Sequence, residues 1–144
     1  LADHVLPFLD LQYLYGLARA GHTEAARALL HNITTHAATR TEAHERTVWQ
    51  QVCLPAAHGL LAHAQGDWAT AVEQLGVALP RLVEIGGSHA QRDLFHQIWL
   101  DAMERNGQWA AVQNVLQPLV NGQPESVRLA RQVGVVNGVL GLPT

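Results

Sequence analysis

The residues best suited to chemistry sit together at 86–96, where Gly86, Gly87, Ser88 and His89 lead into Gln91, Arg92, Asp93 and His96. Two glycines ahead of a capped helix leave several amide hydrogens exposed at its positive end, which is a place to hold an anion. Arg92, one turn in, would add a bidentate grip on a carboxylate or phosphate. His89, Arg92, Asp93 and His96 are spaced i, i+3, i+4 and i+7, so a helix presents all four on one face. The plainer alternative is structural. Gly86 and Gly87 then permit a tight turn, Ser88 caps the helix, and Arg92 or Asp93 ties the loop to a neighbouring hairpin.

Other chemistry is weaker. The nine histidines invite a metal, yet His31/His36 and His58/His63 are five apart, which turns the two side chains about 140° from each other on a helix. A zinc hydrolase needs two histidines four apart, and no H-E-x-x-H occurs. His89 and His96 share a face but stand roughly 10 Å apart along the axis. Cys53 lies in the apolar run VCLPAA, where a thiol is a small inert hydrophobe. We therefore expect no catalytic residue, no metal and no other cofactor. Trp68 and Trp109 recur at matching places and read as packing groups, while Trp49 and Trp99 are freer to serve a pocket.

Composition narrows the partners. Nine basic against twelve acidic residues give a net charge of -3, without the basic face a nucleic-acid binder uses to displace counterions. The most apolar stretch, 133–142, is broken by glycines and is far shorter than the ~20 residues that cross a bilayer. One cysteine forms no internal disulfide. Without a signal-peptide pattern at Leu1, the expectation is a cytoplasmic chain cut from a longer one. A 144-residue chain that is 48% hydrophobic is large enough to bury one core.

The elements that position these residues follow from an internal repeat. ARAGHTEAARALL (18–30), HAQGDWATAVEQL (63–75) and ERNGQWAAVQNVL (104–116) align on Gly21, Gly66 and Gly107. A glycine there takes positive φ and ends one helix, and the next residues start another. Apolar residues at spacings of three and four flank each turn, such as Val52, Ala56 and Leu60 before Gly66 and Ala71, Leu75 and Ala78 after it. Strand alternation is nearly absent. The fold expected is all-α: helical hairpins at about 4–36, 46–83 and 88–120, then a capping helix at about 126–138, in a single domain. Thr39 with Glu42 and Ser88 with Gln91 have capping-box spacing. Pro55 suits a helix's first turn and Pro80 a bend.

The middle hairpin resembles a tetratricopeptide repeat, with Gly59 seven before Gly66 and then Asp67, Trp68, Ala71, Leu75 and Ala78 in that motif's places. The outer two depart from it, with Leu14 and Leu100 at the interior glycine position and a pitch longer than the standard ~34 residues. VCLPAAHGLLAHAQGDWATAVEQL (52–75) followed by Ile85, Gly86, Gly87, Ser88, Ala90, Gln91, Arg92, Asp93 and Phe95 is similar to the tetratricopeptide repeat protein 38 family, in its carboxy-terminal portion. That resemblance implies a right-handed α-solenoid and no particular reaction. In such an array the first helix of each pair lines a concave groove, which places Leu11, Tyr15, Ala56, Leu60, His63, Gln97, Asp101 and Glu104 toward it. The function expected is a non-catalytic scaffold for protein or peptide binding, with another protein or the rest of its own chain as partner. The alternative is an accessory domain of an enzyme, using the GGSHAQRD helix start to hold an anion. An apolar edge where upstream chain would dock leaves room for a homodimer.

Overall fold

The computed structural model describes residues 6–39, 43–85 and 88–142. Among these residues every regular element is helical, in the order α1 (Leu6–Arg19), α2 (Thr23–Thr39), α3 (Ala43–Val48), α4 (Leu54–Ala64), α5 (Trp68–Ala78), α6 (His89–Arg105), α7 (Trp109–Gly122) and α8 (Val127–Leu140). The all-α expectation therefore holds. The chain divides into two compact units, Leu1–Ala102 and Met103–Thr144.

In the first unit, α1 pairs with α2 and α4 with α5, and α4 lies against both helices of the first pair. Leu11 and Leu14 of α1, Ile33 and Ala37 of α2, Val52, Ala56 and Leu60 around α4, Leu75 and Ala78 of α5, and Phe95 and Ile98 of α6 fuse into one core. Their spacings of three and four are those that return to the same face of a helix. A smaller cluster joins Ala62, Ala71 and Ala102. Three methyl groups at one junction let α4, α5 and α6 approach closely, because helix separation follows the size of the side chains between them. In the second unit α7 pairs with α8, with Val112, Leu116, Leu129 and Val136 buried and Gln113 Nε2 donating to Asn137 Oδ1 at 3.2 Å.

The repeated glycines end their helices in one way. Gly21, Gly66 and Gly107 have φ of 85°, 80° and 77°. After each, the next amide reaches back five residues, His22 to Leu17, Asp67 to Ala62 and Gln108 to Met103, at 2.8–2.9 Å. This is the Schellman closure that satisfies a helix's last carbonyls. Gly141 repeats it with φ 75° and a Leu142–Asn137 bond, so α8 runs to Leu140 and ends on a glycine cap.

The prolines sit where the helices change character. Pro55 falls in the first turn of α4, as expected, and α3 passes into α4 through one π-helical turn, Trp49–Cys53, where the Leu54 amide bonds Trp49 five residues back. The wide turn shifts the carbonyl ladder that a proline ring would otherwise strike. At Pro80 the chain tightens into a 3-10 segment, Leu79–Ile85, where Arg81 binds Glu84 at 2.6 Å and also bonds Gln51 on the wide turn. The Ser88–Gln91 capping box forms both ways, with Ser88 N donating to Gln91 Oε1 at 2.7 Å and Gln91 N to Ser88 Oγ at 3.1 Å. Glu42, the partner expected for Thr39, lies outside the described residues.

Candidate functional site

The polar centre of the first unit is His63, in the last turn of α4. It follows Ala62, and Asp101 precedes Ala102, so the close alanine junction sets the two polar side chains side by side. His63 Nε2 meets Asp101 Oδ2 at 2.7 Å. On its other edge, Nδ1 meets the Tyr15 hydroxyl at 3.0 Å, delivered by α1 where it packs on α4. His63 is 4% exposed, whereas the Asp101 side chain is 38% exposed and Tyr15 is half-buried. The result is a chain of three groups from three helices, closed at its middle and open toward solvent at its carboxylate end.

Aromatic contacts hold the imidazole between these partners. Trp68 stands edge-on to it, with ring centres 5.2 Å apart and planes at 69°. The Tyr15 ring centre lies 5.7 Å away, and the Arg19 guanidinium carbon is 6.0 Å from the centre of the Tyr15 ring. An ionised carboxylate only accepts hydrogen bonds, so with Asp101 charged Nε2 carries a proton. A neutral His63 then has a bare Nδ1, and Tyr15 donates to it. The chain can thus hold a proton at a chosen atom and fix the sense of a hydrogen bond. In a triad hydrolase the nucleophile meets Nε2 and the carboxylate Nδ1; here the two ends are exchanged, and the group opposite the carboxylate is a phenol where such an enzyme has an alcohol or thiol.

The other candidate segment builds a separate feature. His89, Arg92, Asp93 and His96 do share one side of α6, where with Leu79, Pro80, Leu82 and Val83 they line a cleft of about 260 Å³. Burial pushes the His96 imidazole below its ordinary value; the Asp93 charge opposes that shift and His89 adds to it. Arg92 and Asp93 are half-buried, and both are already engaged. Ser88 is exposed and spends its side chain on the cap. Gly86 and Gly87 lie outside the described residues. No group of three histidine, cysteine or carboxylate side chains among the described residues could hold a metal ion.

No protein-family model and no solved structure matches the chain.

Of the groove residues set by register, Tyr15, His63 and Asp101 come together and Gln97 is half-buried. Leu60 does not line a surface. It is fully buried in the core, as are Leu11 and Ala56, because α4 is packed against α1, α2 and α5. The tryptophans exchange roles: Trp49 is a core residue, and Trp99 bonds the Val72 carbonyl at 3.2 Å. Trp68, expected only to pack, is the one beside His63. Its signal was the chain reversal at Gly66, which brings residue 68 back over residue 63.

Proposed function

We propose that the chain is a non-catalytic helical-repeat module that binds an extended peptide segment, from another protein or from the remainder of its own chain, at the side where α1, α4 and α6 meet. The observation that carries this reading is a buried histidine joining two more exposed polar side chains from different helices, Tyr15 and Asp101. A polar chain of this kind offers oriented hydrogen-bonding groups on a rigid frame, which is what peptide recognition uses for specificity. The like-ended hairpins and the lie of α4 against α1 and α2 suit a right-handed tetratricopeptide-like superhelix, a cytoplasmic scaffold in kind, and the resemblance to the tetratricopeptide repeat protein 38 family points the same way.

The test is selection of 12-residue peptides against the 144-residue chain, followed by amide chemical-shift mapping. Binders of about micromolar affinity that perturb Tyr15, His63 and Asp101 are the expected result. Failure to obtain any peptide that maps to these helices rejects the reading.

A second reading rests on the cleft at Leu79–Val83 and His89–His96: an accessory domain of an enzyme that holds an anionic group there. Arg92→Ala should then abolish the heat of anion binding seen by calorimetry. An unchanged heat removes this alternative.

A further inference from the structure

We infer that Asn106 is a self-modification site, where the Gly107 amide closes on the asparagine side chain, expels ammonia and leaves an aspartate or isoaspartate at the end of α6. The inference is independent of the peptide-binding reading.

The sequence holds three Asn-Gly pairs, at 106–107, 121–122 and 137–138. In such a pair the glycine has no Cβ to keep its amide nitrogen from the preceding carboxamide carbon. The structure gives the three pairs unequal freedom to use that closeness. Asn137 lies within α8 and is half-buried, its Oδ1 accepting from Gln113 Nε2 at 3.2 Å and its carbonyl from the Leu142 amide at 2.8 Å. Asn121 is in the last turn of α7, and its Oδ1 accepts from Gln117 Nε2, one turn back, at 3.2 Å. Asn106 stands one residue beyond α6, exposed, and its Nδ2 bonds forward to Gln108 Oε1 at 2.8 Å. Ala20 and Gln65 hold the matching place before the other hairpin glycines, so among these turns only the third carries an asparagine there.

The attacking nitrogen must first leave its own hydrogen bond. At Gly107 that bond runs to the Glu104 carbonyl, only three residues back, at 3.0 Å, in a turn open to solvent. Opening is easiest there, because a helix end frays whereas an interior amide is released only together with its neighbours. Gly107 N then bonds Asn106 Cγ and the Cγ–Nδ2 bond breaks. Nδ2 departs as ammonia, carrying the proton that Gly107 N gives up. Water opens the resulting succinimide at either carbonyl. Attack at Cγ gives aspartate; attack at the main-chain carbonyl gives isoaspartate, in which the chain runs through Cγ and is one carbon longer. The sequence of steps consumes water, releases ammonia and needs no other reactant.

The product unmakes the turn that formed it. The succinimide nitrogen has no proton for the Glu104 carbonyl, and a carboxylate cannot donate to Gln108 Oε1. The longer isoaspartyl link falls inside the closure from the Gln108 amide to the Met103 carbonyl, which spans 2.8 Å. Glu104 and Arg105, of opposite charge and both engaged, precede the site, so the turn gains a net negative charge. That charge stands at the carboxyl end of α6, where the helix dipole disfavours it.

The experiment holds the 144-residue chain in warm neutral buffer, with a parallel sample unfolded in guanidinium chloride. Tandem mass spectra of proteolytic fragments follow the amide-to-acid conversion at each of the three asparagines, and enzymatic methylation with a labelled methyl donor detects isoaspartate. In the folded chain Asn106 should convert first, faster than Asn137 by about tenfold or more, with Asn121 between them. In guanidinium chloride the three rates should draw together, since the reacting pair is the same. Asn106→Gln, which keeps the carboxamide but lengthens the ring that must close, should remove the fast conversion and leave the two slower ones in place.

Conversion at Asn121 or Asn137 as fast as at Asn106 in the folded chain overturns the inference. So does an Asn106 that stays intact when folded over a time in which the unfolded chain converts it. Aspartate without isoaspartate at 106 overturns the ring-closure route.

Discussion

At the scale of single residues, His63 connects structure to recognition, and its partners are unequal. Tyr15→Phe deletes the hydrogen bond to His63 at a half-buried site and should lower stability by about 0.5–1.5 kcal/mol in urea unfolding. His63→Phe keeps most of the volume but removes the imidazole that both the phenol and the carboxylate bond, and should cost about 1–3 kcal/mol. Because both bonds run through one imidazole, the Tyr15→Phe, Asp101→Asn pair should depart from additivity by more than 0.5 kcal/mol, as expected for residues sharing a network. His96 gives a pH signature of its own. Its imidazole is held below the ordinary value by burial, so in the acid range the unfolded chain binds more protons than the folded one. Its effect is therefore absent well above about pH 6.5, and stability falls as pH drops through that value, levelling off below the folded one. His96→Gln should flatten this part of the pH profile of Tm; an unchanged slope would show that other histidines set it.

At the scale of elements, glycine marks where helices stop and where they touch. A Cβ on Gly59 would lie 2.6 Å from Leu75 Cγ and 3.0 Å from the Leu75 amide nitrogen, so Gly59→Ala must push α4 from α5 and should destabilise by about 1–3 kcal/mol. Gly16, inside α1 with nothing within 4 Å of its absent Cβ, should behave oppositely, Gly16→Ala adding about 0.5–1 kcal/mol. Comparing the two Tm shifts checks both. These turns were legible in the sequence because Gly21, Gly66 and Gly107 recur in like surroundings, and a left-handed residue has few alternatives. The wide turn at Trp49–Cys53 was not legible: its residues are ordinary helix formers, and only Pro55 downstream marked a disturbance. The site was half legible. Register placed Tyr15, His63 and Asp101 toward one groove with Leu60, but hydrogen bonds spanning 48 and 38 residues depend on how helices pack, α1 on α4 for the first and the alanine junction at 62, 71 and 102 for the second.

At the scale of the whole molecule, the two units differ in what they bury. The first carries one core drawn from α1 through α6, whereas in the second the buried side chains of α7 and α8 are Val112, Leu116, Leu129 and Val136, with Val127, Val135 and Val139 of α8 exposed. Amide hydrogen exchange should accordingly be slowest in α4 and at least tenfold faster across α8, since protection follows the local density of buried contacts. Uniform protection through both would show a single cooperative unit. Binding of a peptide at Tyr15 and Asp101 should slow exchange in α1 and α4 above all.

The turn at Trp49–Cys53 amounts to one surplus residue carried within a continuous rod from 43 to 64. Deleting the exposed Gln50 would let the rod close to ordinary pitch, and the ring of Pro55 would then strike the carbonyl four positions before it, at a cost of about 3 kcal/mol. With Pro55→Ala in place the same deletion should be tolerated. Shortening and proline removal are thus epistatic: the deletion is costly only while Pro55 is present.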